Sequence, residues 1–268
     1  MTQLEPTKML TPVRALIVCV DYADLLRLTL PHNMPFFSDS IIVTTYDDKQ
    51  TRRLAQEYET RIHLTDVFYK RGAYFNKFAA IEEGLDVFGR QGWILLIDAD
   101  IAIPKFRHPF VPHAGLVYTP YRRILKVVDP VVGIPEQRKW AQNKRPRMKD
   151  EQSGYFQLFH GSDRILRRPP WHSLDWTWSG ASDAAFQDRW PAHSRVRPPF
   201  EVLHLGEHRQ NWAGRVTPFL DGTLHPKAVQ HQENMDMLMK SRVIAGSVDI
   251  YAKEKLYERV ADISAYSE

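Results

Sequence analysis

The chain has 268 residues with 36 Lys and Arg against 32 Asp and Glu, and 43% of it is hydrophobic. That composition suits one large globular α/β domain, with or without a small appendage. No apolar run approaches the roughly 20 residues that span a bilayer, and Met1 to Lys8 is polar with no signal-peptide apolar region behind it, so a cytoplasmic protein without a membrane partner is expected. A single cysteine, Cys19, excludes internal disulfides and cysteine-cluster metal sites, and its place in an apolar run marks a buried structural thiol.

Arg14 to Val20 reads as a buried first strand that ends at Asp21 and Tyr22, before a helix from Ala23 to Leu30. Ser40 to Thr45 is a second strand closed by Tyr46-Asp47-Asp48, Lys49 to Glu59 a helix, and Arg61 to Leu64 a short third strand. This alternation argues for parallel βαβ units with ligand loops at the strand ends. Asn76 can cap the next helix, Lys77 to Phe88, at whose N-terminus Lys77 is an awkward cation that a nearby anion would satisfy and that solvent could also satisfy.

Ile94 to Ile97 then runs straight into Asp98-Ala99-Asp100, as a buried central strand ending at a polar crevice would. Residues two apart in extended chain point the same way, so Asp98 and Asp100 can converge on a hard divalent cation. A simple turn cap at Asp98 is the other reading. Gly115 to Pro120 follows as a strand. From Arg122 to Lys149 nine basic residues, Arg122 and Arg123 first, face only Asp129 and Glu136 in a basic insertion, residues 122–150, and Pro130, Pro135 and Pro146 make Asp129 to Lys149 loop-rich.

Gly154 to Phe159 reads as a strand, and Trp171, Trp176 and Trp178 crowd a loop-like stretch. Asp183 opens a helix up to Trp190. Glu201 to Gly206 is a late strand containing His204, with Asn211, Trp212 and Arg215 beyond it. Residues 1–225 are read as one domain and 226–268 as a helical extension packed on it, with Met235, Leu238 and Met239 as its apolar face.

In their order, the acid-ended first strand, Thr45-Tyr46-Asp47, Phe75-Asn76-Lys77, Leu96-Ile97-Asp98-Ala99-Asp100, Ser182-Asp183 and His204-Leu205-Gly206 resemble the GT-A glycosyltransferases over roughly the first 215 residues. The resemblance implies a Rossmann-like, mostly parallel central sheet flanked by helices, with a helical C-terminal tail. It implies a nucleotide-sugar donor, a UDP-sugar by preference, and Mn²⁺ or Mg²⁺ on its diphosphate. Asp100 would be the main metal ligand, Asp98 would touch metal or ribose, and His204 would be the late ligand rather than an ordinary strand-end histidine. Asp21, Tyr22, Asp47, Asn76 and Lys77 would line the donor site, with Arg215 on the diphosphate. Asp183 would be the general base of an inverting transfer or only a helix cap, with Glu201 and Asp175 as substitutes.

Trp176, Trp178, Asn211 and Trp212, with Arg122 and Arg123, would meet the acceptor, although tryptophans serve a core equally well. Basic residues attract polyanions, and the chain is similar to the glycosyltransferases that decorate hydroxymethylated bases in viral DNA, so double-stranded DNA is the expected partner. A saccharide or protein acceptor beside a solvated basic loop is the alternative. A metal-dependent nucleotidyltransferase and a non-catalytic nucleic-acid-binding module are the rival classes.

Overall fold

A computed structural model of the chain describes residues 11–106, 110–145, 154–175, 178–179, 182–207 and 210–245. Strand β1 (Val13–Val18) leads into helix α1 (Ala23–Asn33), β2 (Asp39–Thr44) into α2 (Lys49–Glu57), and β3 (Arg61–Leu64) into α3 (Lys77–Phe88). Then come β4 (Trp93–Asp98), β5 (Ile101–Ala102), β6 (Val117–Tyr118), β7 (Tyr121–Leu125) and β8 (Phe156–His160). Helix α4 (Ser182–Gln187), β9 (Arg195–Val196), β10 (Glu201–Leu205) and α5 (Ala228–Ala245) complete the order.

Seven strands form one sheet in the order β3-β2-β1-β4-β8-β6-β9. The β3-β2-β1-β4 half and the β6-β9 pair are parallel, while β8 is antiparallel to both of its neighbours, so the mostly parallel α/β sheet is present as expected. Period-two alternation divides the core. Ala15 and Ile17 face Leu26, Leu30 and Leu54 of α1 and α2, whereas Leu16 and Val18 face Phe78, Ile81 and Leu85 of α3. Each fully buried Leu, Ile or Phe side chain among these stabilises the fold by about 1.5–3 kcal/mol. Helix α3 lies so close to the sheet that a Cβ at Gly84 would stand 2.6 Å from Val43 Cγ2 and 2.9 Å from Leu16 Cδ1.

Several elements depart from the sequence reading. Helix α1 runs past Leu30 through Pro31 to Asn33. A proline in a last turn loses one hydrogen bond without unwinding the helix, and Asn33 holds this turn by giving Nδ2–H to Ile101 O (2.7 Å) and accepting from Ile103 N (2.9 Å). The start of the basic insertion is the strand β7, and β5 and β9 are further strands of two residues each. β7 lies parallel to β10, with β5 on the other side of β10, in a second sheet of order β5-β10-β7.

This small sheet positions the site. Val18 is in register with both Val43 and Asp98, which sets the carboxyl ends of β2, β1 and β4 along one rim. β10 then brings His204 alongside Ile101, and Leu205 N–H donates to Asp100 O at 2.8 Å. On α5, Met235 and Leu238 are buried beside Ala213, with Trp178 and Trp212 packed against them. The side chain of Met239, part of the expected apolar face, lies outside the described residues, as do residues 246–268.

Candidate active site

β4 ends at Asp98, and Ala99 and Asp100 form a turn. The two-residue alternation of a strand therefore does not extend to Asp100, and the carboxylates take different partners. Asp98 Oδ1 accepts from Lys77 Nζ at 2.5 Å, while Asp100 Oδ2 accepts from His204 Nε2 at 3.1 Å. Lys77 stands at the start of α3, capped by Asn76, whose Oδ1 accepts from Ala79 N at 3.0 Å. The awkward cation is thus resolved inside the protein. Burial works against the Lys77 charge, but Asp98, Asp183 and Asp100 outweigh it and leave the ammonium harder to deprotonate than an ordinary lysine.

His204 is fixed from both ends. Its Nδ1 lies 3.3 Å from Arg122 Nη1, and a guanidinium has no lone pair to offer, so Nδ1 accepts and the ring hydrogen sits on Nε2, facing Asp100. Burial raises the Asp100 carboxyl, yet His204 and Arg122 reverse this and hold it below the ordinary carboxylate value. Asp98 goes the other way, raised by burial despite Lys77. Asp100 Oδ1 is buried and has no hydrogen-bond partner.

Asp183 belongs to the same charged centre. Its carboxylate lies against Gly154, where an added Cβ would overlap Oδ1. Its carbonyl accepts from Gln157 Nε2 at 3.1 Å, which ties α4 to β8. Oδ1 is buried without a partner, and burial pushes the carboxyl up to about 6, with Lys77 pulling it down and Asp98 pushing it further up. Three carboxylates, those of Asp98, Asp100 and Asp183, thus face two permanent cations, Lys77 and Arg122.

Whether a divalent cation suits this centre can be judged from the donors. Among the described residues, no group of three or more acidic, histidine or cysteine side chains is gathered closely enough to hold an ion. Asp100 nevertheless fits one ligand position, since its buried Oδ1 lacks a partner and a carboxylate oxygen suits Mg²⁺ or Mn²⁺. His204 would have to part from Asp100 and move its ring hydrogen to Nδ1, giving up the Arg122 contact, before Nε2 could ligate a metal.

The remaining expected site residues divide into rim and framework. Asp21 stands at the rim with a left-handed φ of 60°, and its carboxylate meets His225 Nε2 at 3.2 Å. Tyr22 lies beneath the Arg215 guanidinium, 4.6 Å from its ring centroid. Asp47 is exposed, and its neighbour Asp48 is the buried acid, accepting from Asp21 N (2.8 Å) and Thr51 N (2.9 Å) as the cap of α2. Arg215 does not reach toward a diphosphate in this structure. Only 2% exposed, it grips both Asp24 oxygens at 2.5 and 2.8 Å and donates to Asp21 O at 2.7 Å. Asn211 folds its own loop by accepting from Val216 N at 2.8 Å, and Trp212 packs on Trp178 at 5.7 Å. Trp176 lies outside the described residues.

Nor does the basic segment present its charge as its sequence suggests. Arg122 is buried, with its guanidinium over the Tyr155 ring at 4.4 Å. Arg123 pairs with Glu201 (2.5 Å), Lys126 with Glu207 (2.9 Å) and Arg138 with Glu136 (2.5 Å). The alternation of β7, with positions 122 and 124 buried, is the reason Arg122 turns inward. Arg147 and Lys149 lie outside the described residues. Glu201, a substitute base by sequence, is taken up by Arg123 and Arg145, and Asp175 is exposed.

Sequence reasoning missed Gly154, Asp48, Asp24 and His225. The acid pair Asp47-Asp48 before a helix carried a usable signal, since the cap is the residue next to the first turn. Gly154, Asp24 and His225 carried none, because their roles depend on partners at least 29 residues away in the chain.

No protein-family model matches the chain, and no curated protein matches it significantly. Solved structures do resemble it at a distance. Mannosyl-3-phosphoglycerate synthase from Rubrobacter xylanophilus is 12% identical, with a TM-score of 0.48 over 89% of this chain and 75% of that one. Glucosyl-3-phosphoglycerate synthase from Mycobacterium tuberculosis, in complex with Mn²⁺, UDP and glucosyl-3-phosphoglycerate, is 11% identical, with a TM-score of 0.42 over 74% of this chain and 72% of that one. CTP:phosphocholine cytidylyltransferase from Streptococcus pneumoniae is 17% identical, with a TM-score of 0.30 over 44% of this chain and 56% of that one. Likeness this distant assigns no reaction to the chain.

Proposed function

We propose that this protein is a divalent-metal-dependent glycosyltransferase that moves a sugar from a nucleotide-sugar, a UDP-sugar by preference, to an acceptor hydroxyl with inversion. The observation that carries the reading is the pair of buried, unpartnered carboxylate oxygens, Asp100 Oδ1 and Asp183 Oδ1, in one charged centre at the carboxyl end of β4. Two such atoms are costly in a fold unless each has a later partner.

Asp183, ionised above its value of about 6, accepts the acceptor's hydroxyl proton at its free oxygen as that hydroxyl attacks the anomeric carbon. The bond from the anomeric carbon to the diphosphate oxygen breaks, and the charge stays on the diphosphate. A Mg²⁺ or Mn²⁺ ion held by Asp100, with Asp98 beside it, supplies neutralising charge for that leaving group when bound. Lys77, held charged by its carboxylate neighbours, keeps Asp98 in place and contributes positive potential on the donor side. Asp21 and Asp47 at the rim serve the nucleoside.

For the acceptor, Arg122 is buried and Arg123, Lys126 and Arg138 are paired with carboxylates, which lowers the charge these four described residues offer a polyanion. A saccharide or protein hydroxyl is therefore the acceptor class we propose ahead of hydroxymethylated DNA. The test measures nucleoside diphosphate release from a panel of nucleotide-sugars with Mn²⁺, with candidate acceptors and with hydroxymethylated DNA, for wild type, Asp100→Ala and Asp183→Asn. Metal-dependent release that Asp183→Asn lowers by about 10²-fold or more supports the reading. Stimulation by the modified DNA alone would restore the DNA acceptor. Transfer of a nucleotide would point to a nucleotidyltransferase, and no turnover of any donor would overturn the proposal.

A further inference from the structure

β3 is the terminal strand of the seven-stranded sheet. Thr65 N–H bonds back to Thr44 O at 2.9 Å, and successive peptide groups of a strand alternate sides. The N–H and C=O groups of Ile62 and Leu64 therefore point away from β2, and among the described residues no strand pairs with them. Beside this edge runs a groove of about 530 Å³ between β3 and α2. Ile62 and Leu64 give it an apolar side, and Ile62 is 37% exposed. Lys49, Arg52 and Arg53, spaced for one face of α2, give it a cationic side. None of these three has a carboxylate partner among the described residues; Arg52 makes only a backbone contact, to Tyr46 O at 2.9 Å.

We propose that this groove binds an extended acidic peptide, which adds as a strand to the β3 edge with its carboxylates against Lys49, Arg52 and Arg53. An edge strand supplies main-chain hydrogen bonds in register, and the flanking side chains select the sequence. Charge selects the kind of partner. A second copy of this chain paired edge to edge would bring two sets of these cations together, so self-association through β3 is disfavoured. Lys49, Arg52 and Arg53 take no part in the charged centre around Asp100, so the site is independent of the glycosyltransferase reading.

The test uses the full chain and a fluorescent peptide alternating Glu with Val, with a Lys/Val peptide and heparin as comparisons. The Glu/Val peptide binds, salt weakens it, and the amides of Ile62 and Leu64 become protected from hydrogen exchange. Arg52→Glu with Arg53→Glu weakens binding by about tenfold or more. Ile62→Pro removes one outward N–H at an edge position that tolerates proline, and weakens binding without changing charge. Thermal unfolding of both variants establishes that they are folded. Binding that ignores Ile62→Pro, leaves the two amides unprotected, or is matched by heparin would make the groove a nonspecific cation patch and overturn the proposal. Equal binding of the Lys/Val peptide would do the same.

Discussion

Asp183 couples chemistry to stability through one buried carboxyl. Its value of about 6 lies above the ordinary carboxylate value because burial penalises the charge more than Lys77 repays it. As a base it must be ionised. Turnover therefore rises about tenfold per pH unit up to about pH 6 and levels off above it, a rise that Asp183→Asn abolishes; a pH–rate profile of donor turnover checks this. The stability consequence has the opposite sign. A carboxyl whose folded value is raised keeps its proton in the native state, so stability falls as pH climbs from about 4 to about 6 and the group ionises. Asp183→Asn is accordingly expected to melt higher than wild type at pH 7.5 while losing turnover. Asp100 differs, since His204 and Arg122 hold it ionised against burial. Asp100→Asn should lose the rise in melting temperature that Mn²⁺ with UDP gives wild type, and an unchanged rise would remove Asp100 from the metal site.

At the scale of elements, the site depends on how α3 and α4 are held. Glu82, on the turn of α3 after Lys77, is buried, and its Oε1 accepts from Trp171 N (3.0 Å), His172 N (2.9 Å) and His172 Nδ1 (2.6 Å). The His172 ring then stacks on Phe186 of α4, 4.0 Å centroid to centroid. One carboxylate on the helix that carries Lys77 thus secures the helix that carries Asp183. Glu82→Leu leaves the buried donors of residues 171 and 172 without their acceptor and leaves Arg90 with Asp86 as its carboxylate partner, and should cost about 3–5 kcal/mol in denaturant unfolding. His172→Phe keeps a ring on Phe186 and should cost less. Gly84→Ala gains about 1 kcal/mol of helix propensity. It also drives a methyl into the branched Val43 side chain, which cannot turn aside freely, so a net loss of stability is expected. Most of these helices and strands were legible, with α3 and β3 at the residues observed, because their apolar periodicity and caps are local. β5, β7 and β9 were not, since β5 and β9 are two residues long and carry no period, and the two arginines of β7 read only as the start of a basic segment.

At the scale of the molecule, the C-terminal third closes back on the first rim. Arg215 reaches Asp24 across 191 residues, and His225 reaches Asp21. Arg215→Leu should therefore destabilise the protein by about 1.5–3 kcal/mol at every donor concentration, the loss of a charge-assisted pair with the part-buried Asp24 carboxylate, which keeps the Leu220 N–H. A diphosphate-binding arginine would instead raise the donor KM and leave the melting temperature alone, so the two measurements together separate the roles. The Met235 and Leu238 face of α5 acts in the same closure by covering Ala213 near Trp212.

By itself the sequence determined what short-range chemistry can encode. Buried strands written as apolar runs, amphipathic helices, and acids at strand ends were enough to set the α/β class and to bring out Asp98, Asp100, Asp183, Lys77 and His204. The tertiary structure decided which of those charges meet. Lys77 is satisfied by Asp98 and Arg122 is buried on His204 because β7 pairs with β10 rather than lying in a loop. Gly154 matters only because α4 returns to β8. A side chain's partner is set by chain topology, and a carboxylate's charge by the dielectric and the cations that topology brings near it, neither of which is a property of its neighbours in sequence.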